Sequence, residues 1–148
     1  YLGSITESNN DVKGVVTFGD YLGYGDDDGI FYIHSVGDLD NAGNWSLKTT
    51  LTEESTSIDS GAAFDEYVAY GGSSGNLYVH NVSDWSLETT LTQAVDDIHS
   101  IAVSDSFIAY GEERRYTTDG GNSLYIHGGI EGELAVHNGY QTDRFSPQ

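Results

Sequence analysis

The sequence contains no cysteine and no methionine, and its single proline is Pro147. Without thiols, the chain forms no disulfide and holds no zinc–thiolate or iron–sulfur centre. Lysine is limited to Lys13 and Lys48, and the longest apolar stretches have the length of strands rather than of membrane-spanning helices. We therefore expect neither covalent cross-links nor membrane insertion.

Acidic residues dominate what is present, with 24 Asp and Glu against 5 Lys and Arg and a net charge of −19. This charge repels phosphate backbones, so we expect no nucleic-acid partner. Aromatic residues form 12% of the chain, which favours a folded domain with an acidic surface over acidic disorder. Acid enrichment with lysine depletion is typical of halophile proteins, because a Debye length of about 3 Å in molar salt screens self-repulsion. An acidic extracellular domain is the alternative, and the compartment stays open between cytoplasmic and exported.

An internal repeat of roughly forty residues organises the chain. The segments from Trp45 to Thr52 and from Trp85 to Thr92 differ at one of eight positions, which chance does not explain. A tyrosine precedes a glycine-rich turn in each copy, and a histidine ends the apolar segment that follows the turn. The residues at repeat-equivalent positions are Tyr24, Tyr70, Tyr110, His34, His80, His127, Trp45 and Trp85.

Each copy is predicted to form four short antiparallel strands, since segments rich in β-branched and aromatic residues alternate with Gly, Asn, Asp and Ser. Along the fourth strand, Leu87, Thr89 and Leu91 are predicted to share one face. Four strands per repeat indicate a β-propeller blade, so the predicted fold is all-β with about three blades. The predicted limits are 1–12 for the fourth strand of a preceding blade, 13–52, 53–92 and 93–138 for blades 1 to 3, and 139–148 for a tail.

The repeat resembles the WD40 family. The segment from Leu77 to Thr92 resembles that family's third strand, turn and fourth strand, and Ile98 to Val103 resembles its next first strand. Where the family has its Trp-Asp pair, this chain has His34-Ser35, His80-Asn81 and His127-Gly128, so the family's hydrogen-bond network does not carry over. The resemblance implies a rigid scaffold that offers binding surfaces and performs no chemistry of its own.

Three blades do not close a propeller ring, which takes four to eight. We expect closure either by a second copy, as a six-bladed homodimer, or by the missing blades of a longer chain. The expected function is a non-enzymatic scaffold for protein–protein interaction or self-assembly at high salt. A fragment of a propeller enzyme, such as a hydrolase or quinoprotein, and a cell-surface or virion component are the alternatives.

The recurring histidines His34, His80 and His127 are candidate metal ligands, because symmetry-related imidazoles can surround an axis. The favoured interpretation is structural, with each histidine packing between blades where the WD40 family has its tryptophan. His99 and His137 lie outside this register, and the sequence gives them no role.

Two acidic segments are candidates for calcium, which takes several hard oxygen ligands. One is the turn formed by Asp26, Asp27 and Asp28, and the other is the insertion that contains Asp38 and Asp40. A solvated turn is the alternative in the first segment, while the second has alanine at a ligand position. No other cofactor is expected.

Overall fold

The computed structural model describes residues 3–37, 44–104, 107–113 and 122–128. Within these ranges the chain forms eleven β-strands and no α-helix, which confirms the predicted all-β class. No described segment is a helix able to cross a membrane. The strands are β1 (Val12–Phe18), β2 (Tyr21–Asp26), β3 (Phe31–Ser35), β4 (Ser46–Leu51), β5 (Ile58–Phe64), β6 (Tyr67–Gly72), β7 (Leu77–Asn81), β8 (Leu87–Leu91), β9 (Asp97–Ser104), β10 (Phe107–Glu113) and β11 (Ser123–Gly128).

The strands form three antiparallel meanders, each with its strands in chain order. The first sheet is β1-β2-β3-β4, the second is β5-β6-β7-β8, and the third is β9-β10-β11. We call them blades 1, 2 and 3; in the described part of the chain they do not close into a ring. The predicted fourth strand of blade 3 lies outside the described residues. Residues 3–11 form no strand, and the predicted blade limits, including that of a preceding blade, stay predictions.

Glycine sets the turns between the second and third strands of blades 1 and 2. Gly29 and Gly75 have φ values of +79° and +75°, in the left-handed region that L side chains rarely adopt. A Cβ added at Gly29 would lie 2.6 Å from the carbonyl oxygens of Glu54 and Thr56. The turn of blade 1 is therefore in close contact with the segment that leads into blade 2.

The apolar core lies between successive blades. We call the face of a blade that carries the second-strand tyrosine the front face, and the opposite face the back face. The back face of blade 1 packs on the front face of blade 2, where the ring of Phe31 stacks on that of Tyr70 at 4.8 Å between centroids. The back face of blade 2 packs in the same way on the front face of blade 3. Burial of a side chain such as Phe31 contributes roughly 1.5–3 kcal/mol, so each blade depends on its neighbours.

A β-bulge interrupts the fourth strand of blades 1 and 2. In blade 2, Val79 pairs with Thr89 and His80 with Leu87, which leaves Glu88 as the extra residue. The bulge reverses the alternation, so Leu91 is 3% exposed whereas Leu87 is 44% exposed. The prediction that Leu87 and Leu91 share a face was therefore wrong.

The first strands of the three blades lie side by side. The Ser60 hydroxyl on β5 donates to the carbonyl oxygen of Ile98 on β9, 3.2 Å away, and Lys13 on β1 reaches Asp59 on β5. First strands in mutual contact are expected around a propeller axis.

Candidate functional site

The recurring tyrosines and histidines form one stacked unit in every blade. The ring centroids lie 5.7 Å apart for Tyr24 and His34, and 5.6 Å apart for both Tyr70–His80 and Tyr110–His127. The antiparallel register explains the contact, because Tyr70 pairs with Tyr78 and the histidine lies two residues further on the same face. The same tyrosine also contacts the ring of the paired tyrosine, as in Tyr24–Tyr32 at 5.1 Å.

A carboxylate completes this unit in blade 2. The Tyr70 hydroxyl donates to Oε2 of Glu53, and Nε2 of His80 lies 3.1 Å from the same oxygen. Nδ1 of His80 lies 3.0 Å from the carbonyl oxygen of Trp85, so both ring nitrogens face acceptors. Burial acts to raise the pKa of Glu53, but the hydrogen bond from Tyr70 and the charge of His80 outweigh it and hold that pKa below its usual value.

The position equivalent to Glu53 is Glu7 in blade 1 and Gln93 in blade 3. Nε2 of His34 lies 3.6 Å from Glu7, while the Tyr110 hydroxyl donates to Gln93 over 3.0 Å. Burial raises the pKa of Tyr24 to about 12 and lowers the pKa values of His34 and His127. Nε2 of His34 is buried without a hydrogen-bond partner, whereas His80 and His127 each have one, and the structural role predicted for the three stays a prediction.

Trp85 lies at the seam between blades 1 and 2. Its ring meets those of Tyr21 and Phe18 edge to face, at 5.2 and 6.4 Å between centroids. Its φ of +64° lies in the left-handed region, which is uncommon for a bulky residue. The equivalent Trp45 is half-buried.

The three carboxylates of the first acidic turn have separate partners. Asp26 is 1% exposed and accepts from the backbone N–H groups of Asp28 and Ile30, so it holds the turn in shape. Asp27 pairs with Lys13, which keeps the pKa of that carboxyl below its usual value, and Asp28 accepts from Asn10. Calcium binding at this turn stays a prediction. Asp38 and Asp40 lie outside the described residues.

Each blade also contains a buried carboxylate, a shared feature that the sequence analysis did not identify. In blade 1 Asp26 accepts from the Ser8 hydroxyl, and in blade 3 Glu112 accepts from the backbone N–H of Val95. Blade 2 has Gly72 at the position of Asp26 and Glu112, and there Glu54 from the opposite segment accepts from Ser74. In every blade the carboxylate therefore links the hairpin between the second and third strands to the segment that leads into the first strand. The hairpin carries the carboxylate in blades 1 and 3, and the lead segment carries it in blade 2. Alignment of the repeats could have revealed this pattern. Where the hairpin position holds an acid, the lead-segment position holds a small residue, and in blade 2 the two are reversed.

Asp59, Asp97 and His99 form a second group that sequence reasoning missed. They stand on the neighbouring strands β5 and β9, and their potential ligand atoms lie within 4.8 Å of one another. Nε2 of His99 also lies 3.0 Å from Oε2 of Glu113. Alignment of the repeats could have revealed this group, because Lys13, Asp59 and His99, all polar and ionisable, occupy the same position in successive repeats.

No protein-family model and no curated protein sequence matches the chain. Among solved structures, the computationally designed Ika4 protein is similar with a TM-score of 0.71 and 16% identity, over 95% of this chain and 81% of Ika4. U3-55K is similar with a TM-score of 0.66 and 18% identity, over 80% of this chain and 34% of that one. Sqt1 of Saccharomyces cerevisiae gives 0.64 and 17%, over 80% of this chain and 32% of Sqt1.

The chain spans about a third of the two natural structures. At these identities the likeness concerns the fold and nothing further. Together with the three meanders packed front to back, it shows that the chain has a WD40-like β-propeller fold.

Proposed function

We propose that the chain is a non-enzymatic propeller module that binds proteins, and that its first partner is a second copy, which completes its ring. The observation that carries this proposal is the back face of blade 3. Leu124 and Ile126 are 61% and 44% exposed there, whereas the equivalent Leu77 and Val79 of blade 2 are fully buried.

Within the chain, a back face of this kind is covered by the front face of the next blade. Phe107 adds to the same surface with 41% exposure, so three large apolar side chains lie together. Exposed apolar patches of this kind mark interaction surfaces. The occupant that fits is another front face, because that is what covers the back faces of blades 1 and 2.

The front face of blade 1 is open at its first strand, although Tyr24 and His34 on that face are only 4% and 1% exposed. Val12 is 54% exposed, while its equivalents Ile58 and Ile98 are fully buried against the preceding blade. Two copies joined front to back at both ends would form six blades, within the range of propeller rings. Such heterologous contacts form a closed ring when the rotation allows it.

Sedimentation of the full chain in molar KCl tests this proposal. We expect a species of twice the 16.0 kDa chain mass. Ile126→Glu places a charge on the back face and should give monomers. Leu87→Glu is the matched control, because Leu87 is equally exposed, at 44%, but lies on an outer strand.

A wild-type chain that sediments as a compact monomer at all concentrations contradicts the second copy as partner. Equal dissociation by Ile126→Glu and Leu87→Glu would place the contact elsewhere and also contradict the proposal. A dimer that only Ile126→Glu dissociates supports it.

The charge supports a high-salt environment as the working condition of this module. Net charge reaches −19, and Lys13 is already held by Asp27 and Asp59. Self-repulsion of this size is tolerated when salt screens it.

A further inference from the structure

We propose that Asp59, Asp97 and His99 form a binding site for a divalent transition-metal cation between the first strands of blades 2 and 3. The three side chains offer one nitrogen and two carboxylate oxygens within 4.8 Å of one another. Such a donor set is distinct from a purely acidic cluster, and imidazole with carboxylates suits ions such as Zn²⁺ and Mn²⁺.

Backbone irregularity directs two of the three side chains. In β5, Ile58 pairs with Gly72 and Ser60 with Gly71, so Asp59 is the extra residue of a bulge. In β9, Ile98 pairs with Glu112 and Ser100 with Gly111, so His99 is the extra residue at the equivalent place. A bulge re-aims a side chain out of the regular pleat, and bulges are frequent beside functional sites.

The junction between blades 1 and 2 shows that a positive charge fits at this place in the repeat. There, Nζ of Lys13 lies 2.7 Å from Asp27, 3.1 Å from the Ser57 hydroxyl and 3.1 Å from Asp59. One repeat further, the equivalents of Lys13, Asp27, Ser57 and Asp59 are Asp59, Ser73, Asp97 and His99. The Ser73 hydroxyl donates to Asp59 over 3.2 Å, so the arrangement is kept while the ammonium is replaced by a carboxylate.

At the junction between blades 2 and 3, Lys13 offsets Asp59, while Asp97 and Glu113 add negative charge beyond it. Asp97 is 6% exposed, and the side chain of Asp59 is 9% exposed. Carboxylates held close together away from water repel one another unless a cation lies between them. A bound divalent ion supplies the charge that Lys13 supplies one repeat earlier.

The fourth ligand is available at the same point. Nε2 of His99 lies 3.0 Å from Oε2 of Glu113 and 3.8 Å from Oδ2 of Asp97, so a nitrogen and two carboxylates converge. The side chains of His99 and Glu113 are 36% and 57% exposed, which gives a hydrated ion access from solvent. Three to four N and O ligands with one open side match common zinc and manganese sites.

The test is a Zn²⁺ titration of the metal-stripped full chain in molar KCl near neutral pH, followed by calorimetry and by thermal unfolding. We expect one ion per chain and a Tm about 5 °C higher at a zinc concentration of about 100 times Kd. His99→Ala and Asp97→Asn should each weaken binding about tenfold or more. Glu88→Gln removes an exposed acid from another strand and should leave binding unchanged.

A second variant separates metal binding from a simple role of His99 as an imidazolium. His99→Lys places a fixed ammonium beside Asp59, Asp97 and Glu113. It should raise the Tm of the metal-free protein and abolish the response to zinc. Absence of zinc binding by the wild type, or equal binding by wild type, His99→Ala and Asp97→Asn, overturns the site. Because His99 lies at the surface, His99→Ala should fold even if Asp97→Asn does not.

Discussion

At the scale of single residues, the same tyrosine has a different acceptor in each blade. Tyr70 donates to the carboxylate of Glu53, which also faces His80, whereas Tyr110 donates to the neutral amide oxygen of Gln93. Hydrogen bonds with an ionised partner are stronger than neutral ones. The two blades therefore form a natural comparison between a charged and a neutral version of one contact.

We expect Tyr70→Phe to destabilise the chain more than Tyr110→Phe. The first change removes a hydrogen bond to a charged group, worth about 1.5–3 kcal/mol, and the second a neutral one worth about 1 kcal/mol. Both retain the ring that stacks on His80 or His127, so the difference isolates the hydroxyl. Urea unfolding measures the loss of free energy of unfolding in both variants. A loss for Tyr70→Phe that is equal to or smaller than that for Tyr110→Phe would contradict a stronger hydrogen bond to Glu53.

At the scale of strands and turns, the backbone around Gly72 explains why blade 2 takes its buried carboxylate from another segment. A Cβ added at Gly72 would lie 1.8 Å from the carbonyl oxygen of Ser57, too close for any real contact. Blade 2 therefore has no room for an acid at this position and takes its carboxylate from Glu54 instead. The space around the backbone at this position therefore determines whether the hairpin or the lead segment carries the buried carboxylate.

Gly72→Ala should lower the free energy of unfolding by about 1–3 kcal/mol, because the lead segment must shift to admit the methyl group. Gly128→Ala is the control, since a Cβ there would meet nothing within 4 Å, and we expect a change within about 0.5 kcal/mol. Denaturant titration of both variants gives the comparison. A neutral Gly72→Ala would mean that this segment is free to move.

The sequence predicted the strands and their repeat, but not the bulges. The pattern of strands follows from residue types such as those in Leu77 to His80, which recur in all three blades. A bulge depends on the pairing of two strands, and a residue such as Glu88 or His99 carries no local mark of it. For that reason the sequence placed Leu87 on the wrong face and gave no role to His99.

At the scale of the whole molecule, the exposed apolar residues and the net charge would have opposite effects on the proposed assembly. The exposed side chains of Leu124 and Ile126 would favour contact with the proposed second copy, whereas two chains of net charge −19 repel each other. Screening decides between the two, because burial of apolar surface does not weaken as salt rises while repulsion does.

Stability should therefore increase from dilute buffer to molar KCl, and so should the fraction of dimer. The variant Ile126→Glu, which we expect to be monomeric, separates the two effects, since its unfolding reports the repulsion within one chain. We expect its Tm to rise with KCl as well, because the acids of a single chain also repel one another. Thermal unfolding over a KCl series, with sedimentation at each concentration, gives both quantities. Equal Tm values in dilute buffer and in molar KCl would exclude adaptation to high salt, because unscreened repulsion of this charge must lower the stability of a compact chain.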